Sequence, residues 1–178
     1  MPVDVSQRPE PLVEVQPDAA ALATAVAGEM LNRLADAQAE GRVPQVVLTG
    51  GTIATEVHRQ VARLAAGADV DWTRVVLWWG DERFVAPDSE ERNAVPAVAD
   101  LLGPLGATQV HQVPSTQDVS DVAAAATGYA ESLAAHGPDR FDVVMLGIGP
   151  DAHVASLFPG HDALATTGQA TVRVRPRA

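Results

Sequence analysis

The sequence predicts an α/β fold, in which a mostly parallel sheet lies between two layers of helices. Short runs of consecutive apolar residues, each as long as a typical strand, indicate strands that are buried on both faces. Segments with helical spacing alternate with these runs, as expected for parallel strands joined by crossover helices. With 178 residues, of which 47% are hydrophobic and 20% charged, we expect residues 1–178 to form one globular domain.

The first predicted element is a helix over residues 19–40. Pro17 and Asp18 are typical of a helix start, whereas Gly41 and Pro44 are typical of a stop. Apolar residues recur every four positions within it, at Leu22, Val26, Met30 and Leu34. This spacing predicts an amphipathic helix that packs on the sheet.

The remaining elements follow in alternation along the chain. Strands are predicted at 45–49, 74–79, 110–113 and 141–146, and helices at 53–65, 93–102 and 118–136, with Asn93 as a helix cap. We expect them to form a three-layer, Rossmann-like sheet with helices on both faces. In such sheets, ligands bind outside the carboxyl ends of the strands.

The composition excludes several classes of function. Acidic residues outnumber basic ones by 23 to 12, and the formal net charge of −11 opposes binding to nucleic acid or anionic lipid. The absence of cysteine excludes disulfides, thiolate zinc sites and cysteine nucleophiles. All basic residues are arginine, which excludes lysine chemistry. Residues 1–16 show no targeting signal and no apolar run is of membrane-spanning length, so we expect a cytoplasmic protein.

Two loops that follow predicted strands carry groups suited to an anion. In the first, Gly50, Gly51 and Thr52 precede a helix, where free amides can bind a phosphate; a simple turn with Thr52 as the helix cap is an equal alternative. In the second, Arg83 can grip a phosphate or carboxylate, with Asp81 orienting the guanidinium. A solvated charged turn is the alternative for this second loop.

The third loop, residues 147–153, carries the groups suited to proton transfer. Asp151 and His153 lie two positions apart, and an imidazole beside a carboxylate is the usual equipment for activating water. A purely structural pair is the alternative. The glycines at 147 and 149 lack the third glycine of a dinucleotide-binding loop, so we reject a nicotinamide cofactor. Zinc would need a further ligand, and only His161 and Asp162 are near in sequence.

Together, the three loops resemble the 6-phosphogluconolactonase family, which belongs to a larger group with the glucosamine-6-phosphate deaminases. The resemblance rests on residues 48–52, on 79–85 with Ser89 and Asn93, and on 146–160. Deaminases have Asn-Glu-Pro where this chain has Leu157-Phe158-Pro159, and a phenylalanine cannot transfer protons. The lactonase branch is therefore favoured over a deaminase or isomerase.

The resemblance implies hydrolysis of 6-phosphoglucono-1,5-lactone to 6-phosphogluconate in the pentose phosphate pathway, without a metal or organic cofactor. It implies that His153 is the general base and that Asp151 orients it, with amides near Gly149 stabilising the oxyanion. Arg83 and the amides of Gly51 and Thr52 would bind the phosphate of the substrate. Asp81 would orient Arg83 or, as an equal alternative, contact substrate hydroxyls. Besides this phosphorylated sugar lactone, no nucleic acid or membrane partner is expected.

Two departures from the family pattern separate this chain from a typical member. Ala152 stands where the family has glycine between the aspartate and the histidine, which strains the loop if that position requires a positive φ. The family also extends further at its C-terminus, and we could not align residues 168–178 with that region. An abbreviated end predicts an uncovered sheet edge and self-association, in place of the monomer of the family. A sugar-phosphate-binding module without turnover, or an inactive paralogue, stays open as the alternative function.

Overall fold

A computed structural model of the chain describes residues 10–174. Residues 1–9 of the N-terminal stretch and 175–178 of the tail, which entered the sequence analysis, lie outside the described residues. Four parallel strands form one sheet in the spatial order β3-β2-β1-β4. The strands are β1 Gln45–Leu48, β2 Val76–Trp79, β3 Gln109–Val110 and β4 Val143–Val144. The predicted parallel α/β sheet is confirmed.

Helices cover both faces of the sheet, which confirms the three-layer arrangement. They are α1 Ala19–Ala39, α2 Thr52–Leu64, α3 Ala94–Ala97, α4 Gly103–Leu105 and α5 Val122–His136, with a π-helical turn Val98–Leu102 between α3 and α4. Short 3₁₀ turns lie at Ala65–Gly67, Trp72–Arg74 and Asp162–Ala165. On one face α1, α2 and the 94–105 helical stretch form the main core, and α5 packs on the other face. Within residues 10–174, none of the helices has the length and apolar character needed to cross a bilayer.

The first helix begins at the predicted residue and ends at Ala39, one residue before the predicted end, for the predicted reasons. The carboxylate of Asp18 accepts a hydrogen bond from the amide of Ala21 at 2.8 Å, which caps the first turn. At the other end Gly41 has a φ of 78°, a left-handed conformation that favours glycine. The amides of Gly41 and Arg42 then bind the last free carbonyls of the helix at 2.9 and 3.0 Å.

The predicted buried stripe of α1 was partly wrong. Met30 and Leu34 are buried, but Val26 is 37% exposed, and the stripe runs instead through Ala23, Ala27 and Leu31. A helix has 3.6 residues per turn, so positions spaced strictly by four rotate away from the core with each step. Alanine at two of the buried positions lets α1 lie close to its neighbours.

Several predicted boundaries move because local hydrogen bonds compete with the regular element. The strand predicted at 74–79 begins at Val76, since Asp71 accepts from the amide of Thr73 and starts a 3₁₀ turn. The helix predicted at 118–136 begins only at Val122, because Asp121 caps it. The strands predicted at 110–113 and 141–146 shrink to two residues each.

The second core face depends on two buried aromatic residues. Trp78 packs edge-on against the ring of Tyr129 from α5, with ring centroids 6.1 Å apart. The hydroxyl of Tyr129 accepts from the amide of Trp79 at 2.8 Å and donates to its carbonyl at 2.9 Å. Burial raises the pKa of Tyr129 to about 12, so it stays a neutral donor. α5 is thereby fixed to the end of β2, directly before the second loop.

The outer strand β4 leaves apolar side chains uncovered, as expected for a sheet edge. Val144 is 50% exposed, and in the following loop Leu146 is 60% and Ile148 78% exposed. Among the described residues, β4 pairs only with β1. Self-association through this edge stays a prediction.

Lowering the pH should destabilise the fold through one buried histidine. His58 of α2 is 1% exposed, and neither ring nitrogen has a hydrogen-bond partner among the described residues. Burial lowers its pKa to about 4, although the nearby Asp100, itself paired with Arg59, opposes the shift. In the unfolded chain His58 is protonated as the pH falls below 6.5, whereas in the folded protein it stays neutral until about pH 4. The unfolded state therefore binds more protons in this range, and the free energy of unfolding falls as the pH is lowered.

We therefore expect His58 to remove about 3 kcal/mol from the free energy of unfolding between pH 6.5 and pH 4. Denaturant titrations across this range should show a shallower decline for His58→Leu, which has no titrating group. The exposed His136 supplies the control variant His136→Gln, which should keep the decline of the parent. Equal pH dependence in the parent and His58→Leu would contradict the prediction.

Candidate active site

The three predicted loops lie at the carboxyl ends of β1, β2 and β4, which are adjacent strands of the sheet. From β1 the chain passes to β2 and β3 on one side, and then returns to β4 on the other side of β1. The gap between β1 and β4 is thus the point at which the strand order reverses. Ligands of open α/β sheets bind at such points.

The first loop presents an uncapped helix N-terminus. Gly51 is the N-cap residue of α2, with a φ of 98°, and no side chain caps the helix. Thr52 is the first residue inside the helix, so the alternative of Thr52 as the cap was wrong. Uncapped amides at a helix start favour an anion. A cleft of about 750 Å³ opens here, and its lining includes Gly51, Thr52 and Arg92.

The second loop is organised around a buried acid. The side chain of Glu82 is 1% exposed and accepts hydrogen bonds from the amides of Arg83, Asn93 and Ala94 at 2.7–3.0 Å. The alternative of a solvated charged turn was therefore wrong for Glu82. The same contacts satisfy the start of α3, a role that the sequence analysis gave to Asn93. Asn93 occupies the N-cap position, but its side chain makes no capping hydrogen bond.

A buried arginine, which the sequence analysis missed, accompanies this acid. The Arg92 side chain is 2% exposed, its Nε lies 3.7 Å from Oε2 of Glu82, and its Nη2 donates to the carbonyl of Val113 at 2.6 Å. Nε and Nη1 have no hydrogen-bond partner among the described residues. Arg92 therefore attracts Glu82 by charge, without the two parallel hydrogen bonds of a bidentate pair, and its one hydrogen bond is made to Val113.

Asp81 binds residues of two other segments rather than Arg83. Its Oδ2 accepts from the hydroxyl of Ser156 at 2.6 Å, and its carbonyl accepts from the Asn93 amide group at 3.0 Å. Within the described part of the chain, no ion pair joins Asp81 to Arg83, so the expected orientation of the guanidinium by Asp81 was wrong. Arg83 is exposed, and its side chain has no partner in residues 10–174. It is therefore available to a ligand.

In the third loop, the imidazole and carboxylate are paired as the sequence predicted. Nδ1 of His153 is bonded to Oδ1 of Asp151, and the hydrogen bond holds the pKa of Asp151 below its usual value. A carboxylate can only accept, so it selects the tautomer with the proton on Nδ1. Nε2 then carries a lone pair, and no described residue hydrogen-bonds with it. The His153 side chain is 31% exposed.

The His153 ring contacts a glycine and an aromatic side chain. A methyl group at Gly149 would overlap the imidazole, so this position requires the absence of a side chain. The ring of Phe158 lies 4.9 Å from the imidazole, centroid to centroid. The position that distinguishes this chain from the deaminases in sequence is therefore in contact with the candidate base.

The amides of the third loop are used within the loop itself. The amide of Gly149 donates to the carbonyl of His153, and that of Ala152 to the carbonyl of Gly149, each at 2.9 Å. The amide of His153 lies 3.5 Å from the carboxylate of Asp151. In this arrangement Gly149 and Ala152 cannot serve as the expected oxyanion donors, because their hydrogens point at these internal acceptors.

The described residues contain no group of three or more His, Asp or Glu side chains placed to hold a metal ion. His161 and Asp162 belong to the start of a 3₁₀ turn. The ring of His161 accepts from the amide of Ala163 at 3.1 Å, which starts the 3₁₀ turn there.

Comparison with known proteins identifies the family of the chain. A family model described as glucosamine-6-phosphate isomerases/6-phosphogluconolactonase matches residues 17–178. The chain belongs to this family. Among its relatives is the 6-phosphogluconolactonase of Streptomyces coelicolor, 39% identical over 92% of this chain and 67% of that protein. The 6-phosphogluconolactonase of Mycobacterium leprae is 35% identical over 92% of this chain and 69% of its own length.

Solved structures of the lactonase branch share the fold. A 6-phosphogluconolactonase from Shewanella baltica superposes with a TM-score of 0.74 at 28% identity, over 85% of this chain and 64% of that one. The enzyme from Trypanosoma brucei gives a TM-score of 0.73 at 25% identity, over 92% and 69% of the two chains. The chain thus spans about two thirds of the length of these relatives.

The left-handed residue in the third loop is the alanine that departs from the family pattern. Ala152 has a φ of 64°, which confirms the expectation that this position needs a positive φ. An L-residue with a Cβ pays roughly 1–2 kcal/mol for that conformation. Ala155 has a φ of 51° in the same loop, so two strained residues flank His153.

Replacing Ala152 with glycine should relieve this strain. For Ala152→Gly we expect the free energy of unfolding to rise by up to about 1 kcal/mol, because glycine's unfolded-state entropy offsets part of the gain. The matched control is Ala134→Gly, an exposed position within α5, which should lose about 1 kcal/mol. Chemical denaturation of both variants tests the opposite signs, and a loss at both positions would contradict the assigned strain.

Proposed function

We propose that the chain hydrolyses 6-phosphoglucono-1,5-lactone to 6-phosphogluconate. The observation that carries the proposal is the Asp151–His153 pair, which leaves Nε2 of a half-exposed imidazole free at the carboxyl end of the sheet. Relatives that align with 92% of the chain are named 6-phosphogluconolactonase, and they support the same substrate. A lactone is an activated ester, so its hydrolysis requires little more than a water molecule and a base held at the carbonyl carbon.

In the proposed mechanism His153 acts first as a base and then as an acid. Nε2 removes a proton from a water molecule as the water oxygen attacks the lactone carbonyl carbon. When the tetrahedral intermediate collapses, the bond between that carbon and the ring oxygen breaks. The imidazolium then returns the proton to the ring oxygen. Asp151 keeps the ring in the required tautomer and stabilises the positive charge that forms on it.

The substrate phosphate binds at the first two loops in this proposal. Gly50, Gly51 and Thr52 supply the uncapped helix start, which suits a dianion by geometry and by dipole. Arg83 has an exposed guanidinium with no partner among the described residues, and it closes on the phosphate oxygens.

Two other functions have weaker support. A deaminase or isomerase needs a proton-transferring residue where Phe158 contacts His153, and phenylalanine has no such group. A sugar-phosphate-binding module without turnover would use the helix start and Arg83, but it has no need of a paired His153. An assay of lactone hydrolysis separates this last alternative from the proposed enzyme.

The general-base role predicts a large loss on removing the imidazole. His153→Ala should lower kcat for 6-phosphoglucono-1,5-lactone by about 100-fold or more, after correction for spontaneous hydrolysis. Its melting temperature should stay near that of the parent, because the side chain is exposed enough to add little to the core. His136→Ala, at the exposed end of α5, should retain the parent rate. Retention of most activity in His153→Ala would overturn the assignment.

The phosphate role of Arg83 predicts a selective effect on binding. Arg83→Ala should raise KM for the phosphorylated lactone by about tenfold or more, the loss expected for hydrogen bonds to a charged group. The unphosphorylated glucono-1,5-lactone should be hydrolysed almost as before. The control is Arg63→Ala, which removes an exposed arginine on α2 and should leave KM for both lactones unchanged. Equal losses on both lactones would place Arg83 at the carbonyl instead.

A further inference from the structure

We propose that Ser156 is a positioning residue, which fixes the loop of His153 to the phosphate-binding loops through the carboxylate of Asp81. The inference rests on the proposed function and extends it, because it names a residue that touches neither the reacting atoms nor the phosphate. It also changes the part given to Asp81, from orienting Arg83 or contacting the substrate to joining two loops.

The hydroxyl of Ser156 donates to Oδ2 of Asp81 at 2.6 Å, across 75 residues of sequence. Hydroxyl-to-carboxylate hydrogen bonds of this length are charge-assisted and among the stronger kinds in proteins. Among the described residues, it is the sole side-chain hydrogen bond from residues 147–157 to another strand-end loop. Apart from its attachment to β4, this loop is therefore joined to the other two loops by side-chain hydrogen bonding through one hydroxyl group.

The loop that Ser156 holds is internally rigid, so fixing one point fixes His153 as well. The amide of Leu157 donates to the carbonyl of Val154 at 2.9 Å, and Ile148 forms an antiparallel bridge with Val154. Ser156 lies in the turn closed by these contacts. It is three residues from His153, whose ring contacts Gly149 and Phe158.

Asp81 is fixed in turn to the first loop. Nδ2 of Asn93 donates to the carbonyl of Asp81 at 3.0 Å, and lies 3.4 Å from its Oδ1. The carboxamide of Asn93 also packs on Gly50, so closely that a methyl group there would overlap it. A continuous series of contacts therefore runs from the phosphate loop through Asn93, Asp81 and Ser156 to the loop of the base.

Loss of this connection should affect turnover and spare binding. The phosphate would still bind at the first two loops, but the imidazole would no longer be held at a fixed distance from the carbonyl. Misplacement of a catalytic group by about 1 Å can cost up to about 100-fold in rate. The Asp151–His153 pair is untouched, so the midpoint of the pH–rate profile should not move.

The test compares Ser156→Ala with a control of the same chemistry. Ser120 also donates to a carboxylate, that of Asp121 at 3.2 Å, but at the exposed start of α5. We expect Ser156→Ala to lower kcat by about tenfold or more with KM within about threefold of the parent, and Ser120→Ala to change neither. In an Asp81→Ala background, Ser156→Ala should cause no further loss. An unchanged kcat in Ser156→Ala, or a full additional loss in that background, would overturn the proposal.

A second measurement keeps the inference separate from the proposed function. Amide hydrogen exchange within residues 147–157 should quicken at least about threefold in Ser156→Ala and in Asp81→Ala, and no further in the double variant. If exchange quickens as expected but the parent does not hydrolyse the lactone, the proposed activity is refuted and the connection between the loops stands. Unchanged exchange in both single variants would refute the connection, whatever the activity.

Discussion

The arrangement of the site depends on the buried carboxylate of Glu82. It accepts hydrogen bonds from backbone amides at both ends of the 83–93 segment, and so closes that segment into a loop at the end of β2. Arg92 supplies the compensating charge from within the same loop. Removing one member of such a buried pair leaves the other charge unpaired and costs about 3–5 kcal/mol in typical cases. Asp81, Arg83 and Asn93 all owe their positions to this closure.

The sequence predicted the parallel sheet and the contact between Asp151 and His153 well, because both follow from local rules. Continuous apolar runs such as Val46-Val47-Leu48 suit buried parallel strands, and loops after such strands meet at one edge. Asp151 and His153 are two residues apart in a tight loop, so their contact needs no long-range information. The positive φ of Ala152 could also be anticipated, from the family's glycine.

The remaining features of the site depend on contacts between distant residues. Nothing near Glu82 indicates that amides 11 and 12 residues later will surround it, so the sequence alone predicts no structural role for this carboxylate. Asp81 was matched with its neighbour Arg83, whereas its partner Ser156 lies 75 residues away. Asn93 was taken for a helix cap because its residue type suits one, but a carboxylate from another segment already satisfies those amides.

The strand order also determines when the site can assemble during synthesis. β1 pairs with β2, about thirty residues later, and with β4, almost one hundred residues later. Asp142, next to β4, strengthens the pairing of β4 with β1. Its carboxylate accepts a hydrogen bond from the amide of Gln45 at 2.8 Å and forms an ion pair with Arg42. A nascent chain can therefore build the β1–β2–β3 part of the sheet while β4 is still inside the ribosome. His153 follows β4 in the chain, so the proposed base joins the sheet edge last, after the Gly50–Thr52 loop at the end of β1 has been placed by the pairing of β1 with β2.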